Sequence, residues 1–154
     1  MAIEKANKLK DVLENVRRIF LDTAPVIYFV EKNERFLNSV KTVFGLIDDG
    51  RLLAITSPIT LAECLVQPYR RELTQLQKDF FDLIVNGENT IFTPIDQTAS
   101  RKAAQLRAKY NLSLTDALQL AVAIDANGDA FLTNDIELKR VVELNVIIII
   151  GGID

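Results

Sequence analysis

The 154-residue chain is 49% hydrophobic and 25% charged, which suits one compact domain with a real core and excludes a disordered chain. It has no histidine and a single cysteine, Cys64, so Ser-His-Asp and Cys-His catalysis, an internal disulfide and a thiolate zinc cluster are all ruled out. The formal charge of −3, from 18 basic and 21 acidic residues, offers no overall attraction to nucleic acid.

Residues 1–17 are charged, with Ile3, Ala6, Leu9, Leu13 and Val16 at helical spacing. They are expected to form an amphipathic helix ahead of the main fold. Residues 18–22 give a short apolar strand ending at Asp22. A helical pattern runs from Pro25 and continues over 36–47 until Asp48-Asp49-Gly50 stops it. Residues 52–56 make a second strand, and 59–69 a helix that Pro68 is expected to interrupt. A further helix covers 72–85, and a third strand covers 90–95. Helices over 98–110 and 113–126 follow, the second almost wholly apolar. Asn127-Gly128-Asp129 turns into a fourth strand over 130–133. A helix over 136–143 and a fifth strand over 146–150 close the pattern. Short apolar strands alternating with helices predict a parallel sheet covered on both faces, in one α/β domain of three layers.

Apolar runs such as 146–150 are far shorter than the ~20 residues of a membrane span. No basic segment followed by an apolar stretch opens the sequence, so a cytoplasmic location is expected. The basic pairs Arg17-Arg18, Arg70-Arg71, Arg101-Lys102 and Lys139-Arg140 read as solvated helix faces.

Four acids stand out. Asp22, Glu63 and Asp135 each follow an apolar strand, and Asp116 enters the first turn of the apolar 113–126 helix. In open α/β sheets, ligands collect at the carboxyl ends of the strands. An acid on a buried helix needs a partner, and a divalent cation is one. Helix capping is the competing reading. Thr60-Leu-Ala-Glu63 and Ser113-Leu-Thr-Asp116 both resemble capping boxes, and Asp22 and Asp135 both precede helices. Asp96 is read as a cap only. Taken one by one, caps explain the acids; taken as a set at one sheet edge, they would repel unless a cation joined them.

The sequence resembles the PIN-domain family of nucleases, which includes the toxin halves of VapBC toxin–antitoxin pairs. The matching pieces are Ile19-Phe-Leu-Asp22-Thr23, Ile59-Thr-Leu-Ala-Glu63, Leu112-Ser-Leu-Thr-Asp116-Ala-Leu-Gln-Leu-Ala-Val-Ala123 and Phe131-Leu-Thr-Asn-Asp135. Their order and spacing fit the family from about residue 18 to the end, with 1–17 as an N-terminal helical extension and 18–154 as the nuclease domain. The resemblance implies a three-layer α/β/α fold with a five-stranded parallel sheet. It implies a Mg²⁺ or Mn²⁺ site formed by Asp22, Glu63, Asp116 and Asp135, with Thr133 supporting metal or phosphate and Thr23 a weaker candidate. It also implies an RNA substrate, a homodimer and an antitoxin partner. The expected reaction is phosphodiester hydrolysis by metal-activated water at one or two ions, Asp22 and Asp135 being the first choices as direct ligands. Three other readings stand beside it: a non-toxin nuclease of RNA processing, a PIN-fold binding module that no longer cuts, and a phosphatase or receiver-like domain using Asp22.

Overall fold

Strands made almost entirely of apolar residues have to be covered on both sides, and these are. In the computed structural model, residues 2–149 and 151 are described, with side chains from residue 8 onward. One sheet contains β1 (Arg18–Leu21), β2 (Leu53–Thr56), β3 (Thr90–Phe92), β4 (Ala130–Thr133) and β5 (Asn145–Ile148). The strand order is β3-β2-β1-β4-β5, and every neighbouring pair is parallel. The chain builds β2 and β3 to one side of β1, then crosses back to lay β4 and β5 on the other. Between β1 and β4, therefore, the connections diverge and leave a crevice at the carboxyl end.

Alternation along the strands divides the core into two layers. Ile19, Leu21, Ala54, Ala130 and Leu132 pack into one cluster. Their partners come from α2 (Thr23–Val30), α3 (Leu37–Asp48), α4 (Pro58–Arg70) and α5 (Thr74–Asn86). Phe20, Ile55 and Phe131 face the other way, onto α6 (Gln97–Tyr110) and α7 (Leu114–Asp125). The register pairing Phe20 with Phe131 stacks their rings, with centroids 4.9 Å apart.

The N-terminal helix, α1 (Ala2–Leu13), packs against α3. Leu13 and Val16 are buried in the first cluster, and Leu9 lies against it. The expected apolar positions Ile3 and Ala6 have side chains outside the described residues, as does Ile150 of the last strand.

Several boundaries differ from the sequence reading. The pattern from Pro25 to Ile47 is two helices, because Lys32 adopts a left-handed conformation (φ 53°) and the Asn33 carboxamide accepts from the backbone N–H groups of Arg35 and Phe36. Pro68 does not interrupt α4. It sits in the last turn, where its missing N–H removes one bond near the end, and Arg71 still donates to the Gln67 carbonyl at 2.9 Å. β3 ends at Phe92 rather than 95, since Pro94 has no N–H for a ladder. The expected helix over 136–143 is a 3₁₀ turn, Ile136–Arg140. The β-branched pair Val141-Val142 does not favour helix, and the chain must turn at once into β5.

Candidate active site

Asp22 leaves the carboxyl end of β1 and caps α2, its Oδ1 accepting from the Thr23 N–H at 2.9 Å. Its other oxygen accepts from the Thr133 hydroxyl at 2.8 Å, and Gln119 Nε2 approaches Oδ1 at 3.4 Å. Burial pushes the Asp22 carboxyl above its ordinary pKa despite these three donors, and the charge of Asp116 pushes it the same way.

Asp116 stands in the first turn of α7, whose N-terminus is capped by Ser113 Oγ accepting from the Asp116 N–H at 3.1 Å. Its pKa is raised by burial first, with the carboxylates of Asp135 and Glu63 adding repulsion and the Ser113 hydroxyl opposing it. Asp116 thus feels all three of the other acids: Asp22, Asp135 and Glu63.

Asp135 begins the 3₁₀ turn, accepting from the Glu137 N–H at 3.0 Å while its own N–H donates to Thr133 Oγ1 at 3.1 Å. The fully buried Thr133 hydroxyl therefore donates to one acid and accepts from the backbone of another. Glu63 is exposed, and its Oε1 accepts from the Thr23 hydroxyl at 2.7 Å.

The capping readings divide. Asp22 and Asp135 are caps as well as members of the group, and Asp96 caps α6 through the Ala99 N–H at 2.9 Å. The proposed box at Thr60 to Glu63 is not one. Ser57 caps α4, with Oγ accepting from the Thr60 N–H at 3.2 Å, so Glu63 lies beyond the first turn with no capping duty.

Behind the acids lies a buried polar network that sequence reasoning missed. Gln119 is 1% exposed among the apolar residues of the buried side of α7. Its Oε1 accepts from the Ser57 hydroxyl, and its Nε2 donates to Thr60 Oγ1 at 2.8 Å. Thr60 Oγ1 in turn donates to the Leu21 carbonyl at 3.1 Å. The available signal was spacing: Gln119 is three residues after Asp116, and Thr60 three before Glu63, so each shares a helix face with an acid.

All the donors in the group are oxygen, the type hard divalent cations select, and burial, with a smaller push from neighbouring carboxylates, makes the charged forms of Asp22 and Asp116 costly without a cation beside them. The residues present fit such an ion in chemistry. Among the described residues, no three acids close around one point as a formed cage. Cys64 is buried, its thiol pushed well above the ordinary range by desolvation, and takes no part.

The PIN domain family model matches residues 19–144. No curated protein matches the chain in sequence. Among solved structures it resembles a chain of VapBC2 from Rickettsia felis bound to a DNA fragment from its promoter, at 19% identity and a TM-score of 0.64, covering 84% of this chain and 97% of that one. A toxin–antitoxin complex from Klebsiella pneumoniae matches at 18% identity and 0.62, over 84% and 95% of the two chains. VapC20 from Mycobacterium tuberculosis, a toxin that cleaves the sarcin-ricin loop, matches at 16% and 0.59, over 73% and 86%. Likeness at this level of identity carries the fold, and the fold agrees with the sequence match that spans most of the chain. The chain belongs to the PIN-domain family of nucleases.

Proposed function

We propose that the protein is a Mg²⁺- or Mn²⁺-dependent endoribonuclease that acts as the toxin of a toxin–antitoxin pair. The observation that carries this reading is the position of Asp116, in the electrostatic reach of Asp22, Glu63 and Asp135 at the crevice beside β1 and β4. Mutual repulsion among these acids is a cost that a bound cation would offset. Asp22, Asp116 and Asp135 would hold the ion, together with Glu63. When bound, it supplies a Lewis acid for the phosphate and a nucleophilic water at neutral pH. Thr133 and Gln119 hold the Asp22 carboxylate in place, Thr23 holds Glu63, and the 3₁₀ N–H holds Asp135. Neutralised acids would also admit a polyanionic strand that the bare pocket repels.

The solved toxin–antitoxin complexes support an antitoxin partner, and the same reading includes a homodimer in the cytoplasm. Among the described residues, no helix is long and apolar enough to cross a membrane. We take 18–154 as the nuclease domain and 1–17 as an N-terminal extension whose helix α1 packs against α3.

The test is cleavage of a labelled RNA by the purified full chain with Mn²⁺, Mg²⁺ or EDTA, alongside folded Asp22→Asn and Asp116→Asn variants. Cleavage that needs the metal and falls to the EDTA level in both variants is the expected result. Full activity in either variant removes that residue from the site. Growth arrest on expression, relieved by a small protein encoded alongside, separates a toxin from an RNA-processing nuclease.

A further inference from the structure

We propose that Gln119 is a positioning residue that fixes the Asp22 carboxylate relative to Asp116, through a one-way hydrogen-bond circuit joining β1, α4 and α7. The inference rests on the metal-dependent reading above and adds a residue that the four-acid pattern does not contain.

The direction of each bond follows from its neighbours. The Leu21 carbonyl only accepts, so the Thr60 hydroxyl spends its proton there and presents lone pairs elsewhere. Gln119 must then turn its NH₂ group, not its oxygen, toward Thr60. At the other end, the Thr60 N–H donates into Ser57 Oγ, and Ser57 donates its own proton to Gln119 Oε1. Both constraints give the carboxamide the same orientation. That orientation aims a second Nε2 proton at Asp22 Oδ1, 3.4 Å away. A flipped amide would put oxygen against both Thr60 and a carboxylate.

Gln119 also sits one helical turn beyond Asp116 on the buried side of α7. Ser57, Thr60 and Gln119 are each 0–1% exposed, so no water competes for these bonds. The circuit thus ties the end of β1, the start of the Glu63 helix and the Asp116 helix to one another. Polar groups behind metal ligands tune affinity by about 10–100-fold.

The experiment titrates the full chain with Mn²⁺ alone and reads free and bound ion by electron paramagnetic resonance. Wild type is compared with Gln119→Met, which keeps volume and removes the amide. The expected result is roughly a 10-fold or greater weakening of Mn²⁺ binding with an altered bound-ion line shape, at unchanged circular dichroism. If Gln119→Met does not fold, Gln119→Glu replaces it. It keeps the shape and adds a negative charge, which would tighten binding if charge alone mattered, and the same weakening is expected. Unchanged or tighter Mn²⁺ binding in the folded variant, even with lower stability in urea, overturns the proposal and leaves the nuclease reading standing. Failure of the wild type to bind Mn²⁺ sinks both.

Discussion

The Thr133 hydroxyl is the point at which one atom serves two acids, and replacing it with a methyl group isolates its value. Thr133→Val keeps the shape of a fully buried side chain in β4. It removes the donor to Asp22 Oδ2 at 2.8 Å and the acceptor for the Asp135 N–H at 3.1 Å. A hydrogen bond to a charged group contributes about 1.5–3 kcal/mol net, and stranding a partly buried N–H costs about 1 kcal/mol at the low end of its range. The added methyl returns about 0.8 kcal/mol. The net loss is then about 2–3 kcal/mol, or about 4–12 °C in Tm for a domain of this size. Urea unfolding in EDTA at pH 7 measures it. Thr133→Ser retains the hydroxyl and is expected to recover most of the loss, at the cost of one buried methyl. If Thr133→Val unfolds within about 0.5 kcal/mol of wild type, the size of an ordinary surface substitution, then the hydroxyl does not join the two acids.

Asp116→Asn should raise the melting temperature of the metal-free protein at pH 7, because it removes a desolvated charge repelled by Asp22, Asp135 and Glu63. Asp22 and Asp116 both hold protons more tightly folded than unfolded, so wild type gains stability as pH falls through their folded values toward the ordinary carboxylate range near 4. The gap between variant and wild type should narrow over that window, and a gap that widens on acidification contradicts the assignment. Phe131→Ala empties a fully buried ring site stacked on Phe20 and should lower stability by about 3–5 kcal/mol in urea, whereas a loss under about 1 kcal/mol would deny it a central place. Leu13→Ala should cost about 2 kcal/mol if α1 is docked on α3, and almost nothing if the helix stands away from the domain.

Most of the architecture was legible from periodicity, because strands buried on both faces must be short apolar runs, and Phe20, Ile55 and Phe131 have no other place to go. What periodicity missed was chain direction between elements. Helical spacing runs from Pro25 and resumes over 36–47 beyond the polar run Glu31-Lys-Asn-Glu-Arg35, and the bend at Lys32 and Asn33 depends on a local carboxamide bond. The 136–143 pattern is helical in spacing too, yet only a 3₁₀ turn fits before β5.

The site was legible only in part, and the reason lies in strand order. Asp22, Asp96 and Asp135 look alike in sequence: each follows an apolar strand, precedes a helical pattern and caps it. Capping and metal binding do not compete, since a carboxylate can accept from a helix N–H and still present lone pairs. What separates Asp96 is that β3 is the edge of the sheet, two strands from β1, whereas β4 lies directly beside β1. Adjacency of strands far apart in the chain is a property of the folded sheet and leaves no local trace. Glu63 is the reverse case: it resembled a cap in sequence and caps nothing, and its carboxylate accepts instead from the Thr23 hydroxyl at the end of β1. Gln119 and Thr60 remained hidden because a polar residue on an apolar helix face reveals its purpose only through the partners that satisfy it. An acid in this fold is therefore judged by which strand it follows, and a buried amide by which acid it faces.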